Sequence, residues 1–189
     1  MTHPERDPGS LASRPLCRRY ALVVPAVTLV RVSDATDVRV HSIFWVFGWL
    51  ADGECEVLGA CAGVETLPWM LAGLKARGAE RFWHVAALAD DGSGQAREVV
   101  ALEMARAFPG ALESSRPHML PIAEAVVKDI RAGLNRAIRR HGRFTSEAEA
   151  LDFVAHALQR TERRLDRKRQ AAREPSLADL DARMASAAV

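Results

Sequence analysis

The chain has 189 residues, of which 49% are hydrophobic and 26% charged, and a net charge of only +2. That is ordinary for a soluble globular protein with one full-sized core. No apolar run is long enough to span a bilayer. Cys17, Cys55 and Cys61 include no CxxC pair, which argues against a disulfide scaffold or a cysteine metal site and for reduced thiols. The opening MTHPERDPGSLASRP lacks the apolar core of a signal peptide, so the expected compartment is cytoplasmic, with no membrane partner.

In chain order, residues 1–18 read as a loose arm rich in Pro, Ser, Gly and charge. The core is expected over 19–168 and a frayed tail over 169–189. Tyr20 to Val32 is Val-rich and predicts a strand, with Pro25 implying an edge, a bulge or a break. Val38 to Leu50 predicts an aromatic strand buried on both faces. Asp52-Gly53 predicts a two-residue hairpin into a third strand over Glu54 to Ala60. A helix follows, with Leu67, Leu71 and Leu74 on its inner face, Pro68 in its first turn and Gly78 at its end. Arg81 to Leu88 reads as a short strand, and Gln95 to Ala107 as a helix stopped before Pro109.

Met119 to Arg140 predicts an amphipathic helix, with Ile122, Val126, Ile130, Leu134 and Ile138 as its apolar stripe. Its other face carries Glu124, Lys128, Arg131, Asn135 and Arg139, flanked by Arg136 and Arg140. Ser146 to Glu149 is a capping box opening a last helix, whose inner face is Leu151, Val154, Leu158 and Leu165. The charge is unevenly spread: Lys128 to Arg173 holds 13 Lys/Arg against 6 Asp/Glu, so the remainder is net acidic. A basic helix pair on an acidic body suits a polyanion, although Arg-rich solvated faces also arise without a ligand. Arg131, Arg136, Arg139, Arg140 and Arg143, then Arg160, Arg163, Arg164, Arg167, Lys168 and Arg169, can follow a duplex backbone without reading bases. The element order, three strands followed by alternating helix and strand and two last helices, is that of an α/β ribonuclease-H-like layout. There an antiparallel meander is extended by one or two parallel strands, with C-terminal helices.

Asp90 and Asp91, just past a strand end, stand where open α/β sheets present ligands, and carboxylates there suit Mg²⁺. The competing reading is a polar turn capping the next helix. Further carboxylates are Asp34 and Asp37 after the first strand, and Glu124 and Asp129 on the basic helix, Glu124 being the better placed. His84, His118, His141 and His156 have no metal-ligand spacing. Asp90-Asp91-Gly-Ser-Gly lacks the lysine of a phosphate-binding loop. Trp45, Trp49, Trp69 and Trp83 read as packing residues.

Several pieces, in order, resemble the Mutator-type transposases of bacterial insertion sequences. They are Tyr20-Ala-Leu-Val, EVLGACAG at 56–63, WMLAGLKARGAE at 69–80, Ala107-Phe-Pro and, most specific, Gly133-Leu-Asn-Arg through Gly142-Arg-Phe-Thr-Ser to Ala150-Leu. The resemblance covers about residues 20–168 and implies a ribonuclease-H-like fold, double-stranded DNA as partner, a possible homo-oligomer, and strand transfer by an Asp-Asp-Glu triad with Mg²⁺. The first Asp position falls near Ala26, the second at Asp90 or Asp91, and the Glu position at Ala132. The helical insertion expected after Phe108-Pro109 and the N-terminal DNA-end-binding region have almost no counterpart. The resemblance therefore implies a DNA-binding protein with impaired strand transfer, in which one metal ligand survives, Asp91 or its neighbour Asp90, and Glu124 and Asp34 are the substitute ligands beside Asp91. A non-catalytic protein-interaction or transposition-modulating remnant, and a small-molecule enzyme built on the 90–94 turn, are the alternatives.

Overall fold

A computed structural model describes residues 11, 13–33, 37–86, 94–108 and 120–173. The elements are β1 (Arg19–Tyr20), β2 (Leu22–Ser33), β3 (Val38–Trp49), β4 (Cys55–Ala62), α1 (Leu67–Ala76), β5 (Arg81–Phe82), α2 (Gly94–Ala107), α3 (Leu120–His141) and α4 (Glu147–Arg173). β2, β3 and β4 form an antiparallel sheet with β3 in the centre. β5 runs parallel to β1, and a further parallel bridge joins Val85 to Val23. The long meander is thus continued on the β2 side by a parallel segment.

Pro25 sits inside β2, opposite Val46, without breaking the ladder. Val23 spends both its backbone groups toward the segment after β5, donating to His84 O and accepting from Ala86 N. The alternation along a strand then turns the donor position of residue 25 away from β3, so the proline removes nothing from the β2–β3 ladder. The chain does break once, at Ala21, between β1 and β2.

The β3–β4 connection is a three-residue loop, not the two-residue turn expected. Leu50 N–H donates to Glu54 O at 2.7 Å, and Gly53 N–H donates to Leu50 O at 3.0 Å. Gly53 takes φ 86°, the left-handed residue that closes a type I turn into a bulge. A second irregularity lies opposite Val46 and Phe47, where Leu58 is the extra residue of β4.

Helices cover both faces. On one, β2, β3 and β4 present Val24, Ile43, Trp45, Phe47 and Val57 to α3 and α4. On the other, Val27, Val46 and Leu58 meet Leu67, Leu71 and Leu74 of α1 and Val100 and Met104 of α2. This double cover buries the second half of β3 on both sides, as its aromatic content demands. Its first three residues, Val38 to Val40, are exposed. Of the tryptophans, Trp45 and Trp49 are core residues, the Trp45 indole donating to Thr28 Oγ1 at 3.0 Å. Trp69 is 80% exposed and Trp83 46%, against the expectation that all four pack.

Part of the presumed loose arm is docked. Leu11 and Leu16 are buried, Arg77 donates to Leu11 O, and Leu16 N–H donates to Arg77 O at 2.8 Å. These two leucines supply apolar surface that the composition of the surrounding segment conceals.

Candidate nucleic-acid interface

The α3–α4 hairpin is fixed by its turn. α3 ends at Gly142, whose φ of 89° is a conformation that favours glycine. Phe144 then adds a short parallel bridge to the end of β2: its N–H donates to Arg31 O, and its C=O accepts from Ser33 N–H. Its ring is fully buried, stacked on His141 and tilted against Phe153. Ser146 Oγ accepts from Glu149 N–H at 3.1 Å, and the Glu149 carboxylate accepts from the Thr145 amide and hydroxyl. The Gly-Arg-Phe-Thr-Ser stretch is therefore a helix stop, a sheet anchor and a helix start in five residues.

Which face of α3 turns inward differs from the expected stripe. The buried residues are Ala123, Val127, Ile130, Leu134 and Ile138, while Ile122 is 64% exposed. Each i, i+4 step overshoots a full helical turn by about 40°, so four steps back from Ile138 the stripe has rotated about 160° away. A straight helix must change from i+4 to i+3 spacing to stay on one side. The polar face lies as expected: Glu124, Lys128, Asn135, Arg136, Arg139, Arg140 and Arg143 are exposed and Arg131 is half-buried.

α4 brings further cations to the same side. Arg136 and Arg140 of α3 and Arg160, Arg164 and Arg167 of α4 line a cleft of about 330 Å³ between the two helices. Gly133, Ala137, Ala157 and Thr161 lie beneath them, too small to fill it. Among the described residues no carboxylate lines the cleft.

Reasoning from sequence missed a second polar cluster, at the outer edge of β4. Glu162 and Glu56 are each 3% exposed. Glu162 accepts from Nη1 and Nη2 of Arg14 and from Val57 N–H at 3.1 Å, while Arg14 also donates to Val57 O at 2.7 Å. The Tyr20 hydroxyl donates to Glu56 at 2.5 Å, and Arg77 caps Leu58 O. Burial, then the adjacent Glu56 carboxylate, pushes the Tyr20 phenol far above its usual range. Arg14 is raised, since Glu162 and then Glu56 outweigh the desolvation that opposes its charge. The signal was present: Glu162 stands four residues after Leu158, on the apolar stripe of α4.

The carboxylates proposed for metal chemistry are not brought together among the described residues. Asp90, Asp91 and Asp34 lie outside them. Asp37 is occupied locally, accepting from Val38 N–H and pairing with Arg39. Glu124 and Asp129 are exposed on α3, and no group of three His, Cys, Asp or Glu among the described residues is arranged to hold a metal. Ala26 is 1% exposed, its methyl packed in the core beneath α3 and α4, and Ala132 is an exposed methyl on α3. These positions offer no oxygen donor, so the described residues do not fit a two-metal centre.

No helix among the described residues is long and apolar enough to cross a membrane. No family model matches the chain, and no curated protein matches it either.

Proposed function

We propose that this chain is a DNA-binding protein of Mutator-transposase lineage, with a ribonuclease-H-like core and impaired strand-transfer chemistry. The observation that carries the reading is the exposed cationic side of the α3–α4 hairpin, tied to the end of β2 by the Phe144 bridge. Support for the lineage comes from the antiparallel order β4–β3–β2, to which the segment after β5 adds a parallel bridge from Val85 to Val23, and from the collinear sequence pieces. Strand transfer needs charge-neutralising ligands around a phosphoryl group, and alanine at positions 26 and 132 removes two of them. Asp91, with Asp90 and Glu124, is the set left to hold Mg²⁺.

Binding of the full chain to a short DNA duplex, followed by fluorescence anisotropy, tests the first half. The expected result is binding that weakens steeply with salt and is lost when the α3 and α4 arginines are replaced by glutamine. Absence of binding at low salt contradicts it. For the second half, supercoiled plasmid with Mg²⁺ should stay intact; nicking that disappears in Asp91→Ala would restore the catalytic reading.

A protein-interaction role is the second reading, favoured by one feature. A largely apolar groove of about 640 Å³ runs along the edge of β4 at Gly59 to Ala62, walled by α1 and α4, with exposed Trp69 at its lining. Capture of one partner without nucleic acid, and no duplex binding, would favour it.

A further inference from the structure

We propose that the cleft between α3 and α4 is a phosphate-anchoring slot, in which backbone phosphates of a nucleic acid sit between Arg136 and Arg140 on one lip and Arg160, Arg164 and Arg167 on the other. This inference rests on the nucleic-acid reading above and locates its contact. It makes α4 a binding helix, and it moves the main contact away from Lys128, Arg139 and Arg143, which lie outside the slot.

Three observations carry it. The first is spacing. Arg136/Arg140 and Arg160/Arg164 are i, i+4 pairs, so guanidiniums recur about every 6 Å along each lip, comparable with the separation of neighbouring phosphates on one strand. The planar fork of arginine matches phosphate oxygens two at a time.

The second is missing compensation. Four arginines elsewhere are paired with carboxylates: Arg14 with Glu162, Arg18 with Glu80, Arg39 with Asp37 and Arg106 with Glu103. None of the five slot arginines forms an ion pair among the described residues. The Glu162 carboxylate, on this stretch of α4, is turned elsewhere, onto Arg14 and Val57. Five like charges in one cleft repel one another unless an anion joins them.

The third is the floor. Gly133, Ala137, Ala157 and Thr161 leave the cleft open, and a Cβ built on Gly133 meets nothing nearer than Arg136 Nη2 at 4.0 Å. The slot has depth, so an anion there is flanked by guanidiniums from two helices rather than laid on a flat charged face.

The test uses the full chain with two probes, inorganic tripolyphosphate and a short DNA duplex. Three proteins are compared: wild type, the slot variant Arg136→Gln/Arg164→Gln and the outer variant Lys128→Gln/Arg139→Gln. Tripolyphosphate should raise the melting temperature of the wild type and the outer variant. The slot variant, relieved of repulsion, should melt no lower than wild type without ligand, yet show no tripolyphosphate shift and lose about tenfold or more in duplex affinity. Duplex affinity unchanged in the slot variant overturns the slot and leaves the nucleic-acid reading standing. A tripolyphosphate shift confined to proteins with the intact slot, but no binding of duplex, single strand or RNA, overturns the nucleic-acid assignment. A poly-glutamate peptide that stabilises the wild type as strongly as tripolyphosphate overturns the phosphate assignment.

Discussion

Arg14 and Glu162 stand 148 residues apart in the chain and meet as a two-pronged ion pair, at 2.8 and 3.0 Å, against the edge of β4. The pair ties three separate pieces of chain together, because both partners also bond the backbone of Val57. Arg14→Ala strands a buried carboxylate and should cost about 3–5 kcal/mol. Urea denaturation measures it, and adding Glu162→Gln should recover part of the loss. A change within about 0.5 kcal/mol would mean that this ion pair contributes nothing net to the fold.

Gly48 is required by close approach. A Cβ built there falls 2.6 Å from Tyr20 Cδ1 and 3.0 Å from Leu58 Cδ1. Gly48→Ala must displace the Tyr20 ring and with it the hydroxyl that donates to Glu56. We expect a loss of about 1–3 kcal/mol, read from the shift in denaturation midpoint.

Glu149 links helix capping to pH. The Thr145 hydroxyl, then the Thr145 amide, stabilise the charged carboxylate and hold it below the ordinary glutamate range, with His141 adding to the effect. The depressed folded value means this contribution is complete above the unfolded pKa and is lost as pH falls through the folded one. The difference in melting temperature between wild type and Glu149→Ala should therefore be full at pH 7 and shrink on acidification below about pH 4. A difference independent of pH would assign the cap to geometry alone.

The thiols should report burial. Burial pushes the Cys55 thiol up to about 11, against the partial relief of Arg169, whose Nη2 lies 3.2 Å from its sulfur. Burial raises Cys61 as well. At pH 8 an alkylating reagent should label half-exposed Cys17 and reach Cys55 and Cys61 only after denaturant is added. Fast labelling of Cys55 in the native protein would contradict the packing of α4 on β4.

Local chemistry was legible wherever it acts over a few residues. The capping box at Ser146, Gly78 after α1, and Leu67, Leu71 and Leu74 as its inner face all follow from short-range rules. Phase drift was not: a stripe written every four residues places Ile122 in the core, and only the long sheet face decides which side of α3 is covered. Long-range pairing was least legible, since nothing near Arg14 announces Glu162. For the basic face, the sequence shows how many arginines there are. It does not show that two from α3 and three from α4 face one another across a cleft floored by small residues.

The most direct measurement is the salt dependence of duplex binding. Five phosphate contacts in the slot predict a slope of log K against log salt of about −4.5, becoming shallower by about 1.8 in Arg136→Gln/Arg164→Gln. No measurable binding at low salt would contradict the assignment of the α3–α4 hairpin as the nucleic-acid contact, and the same slope in both proteins would contradict the slot as the place of that contact.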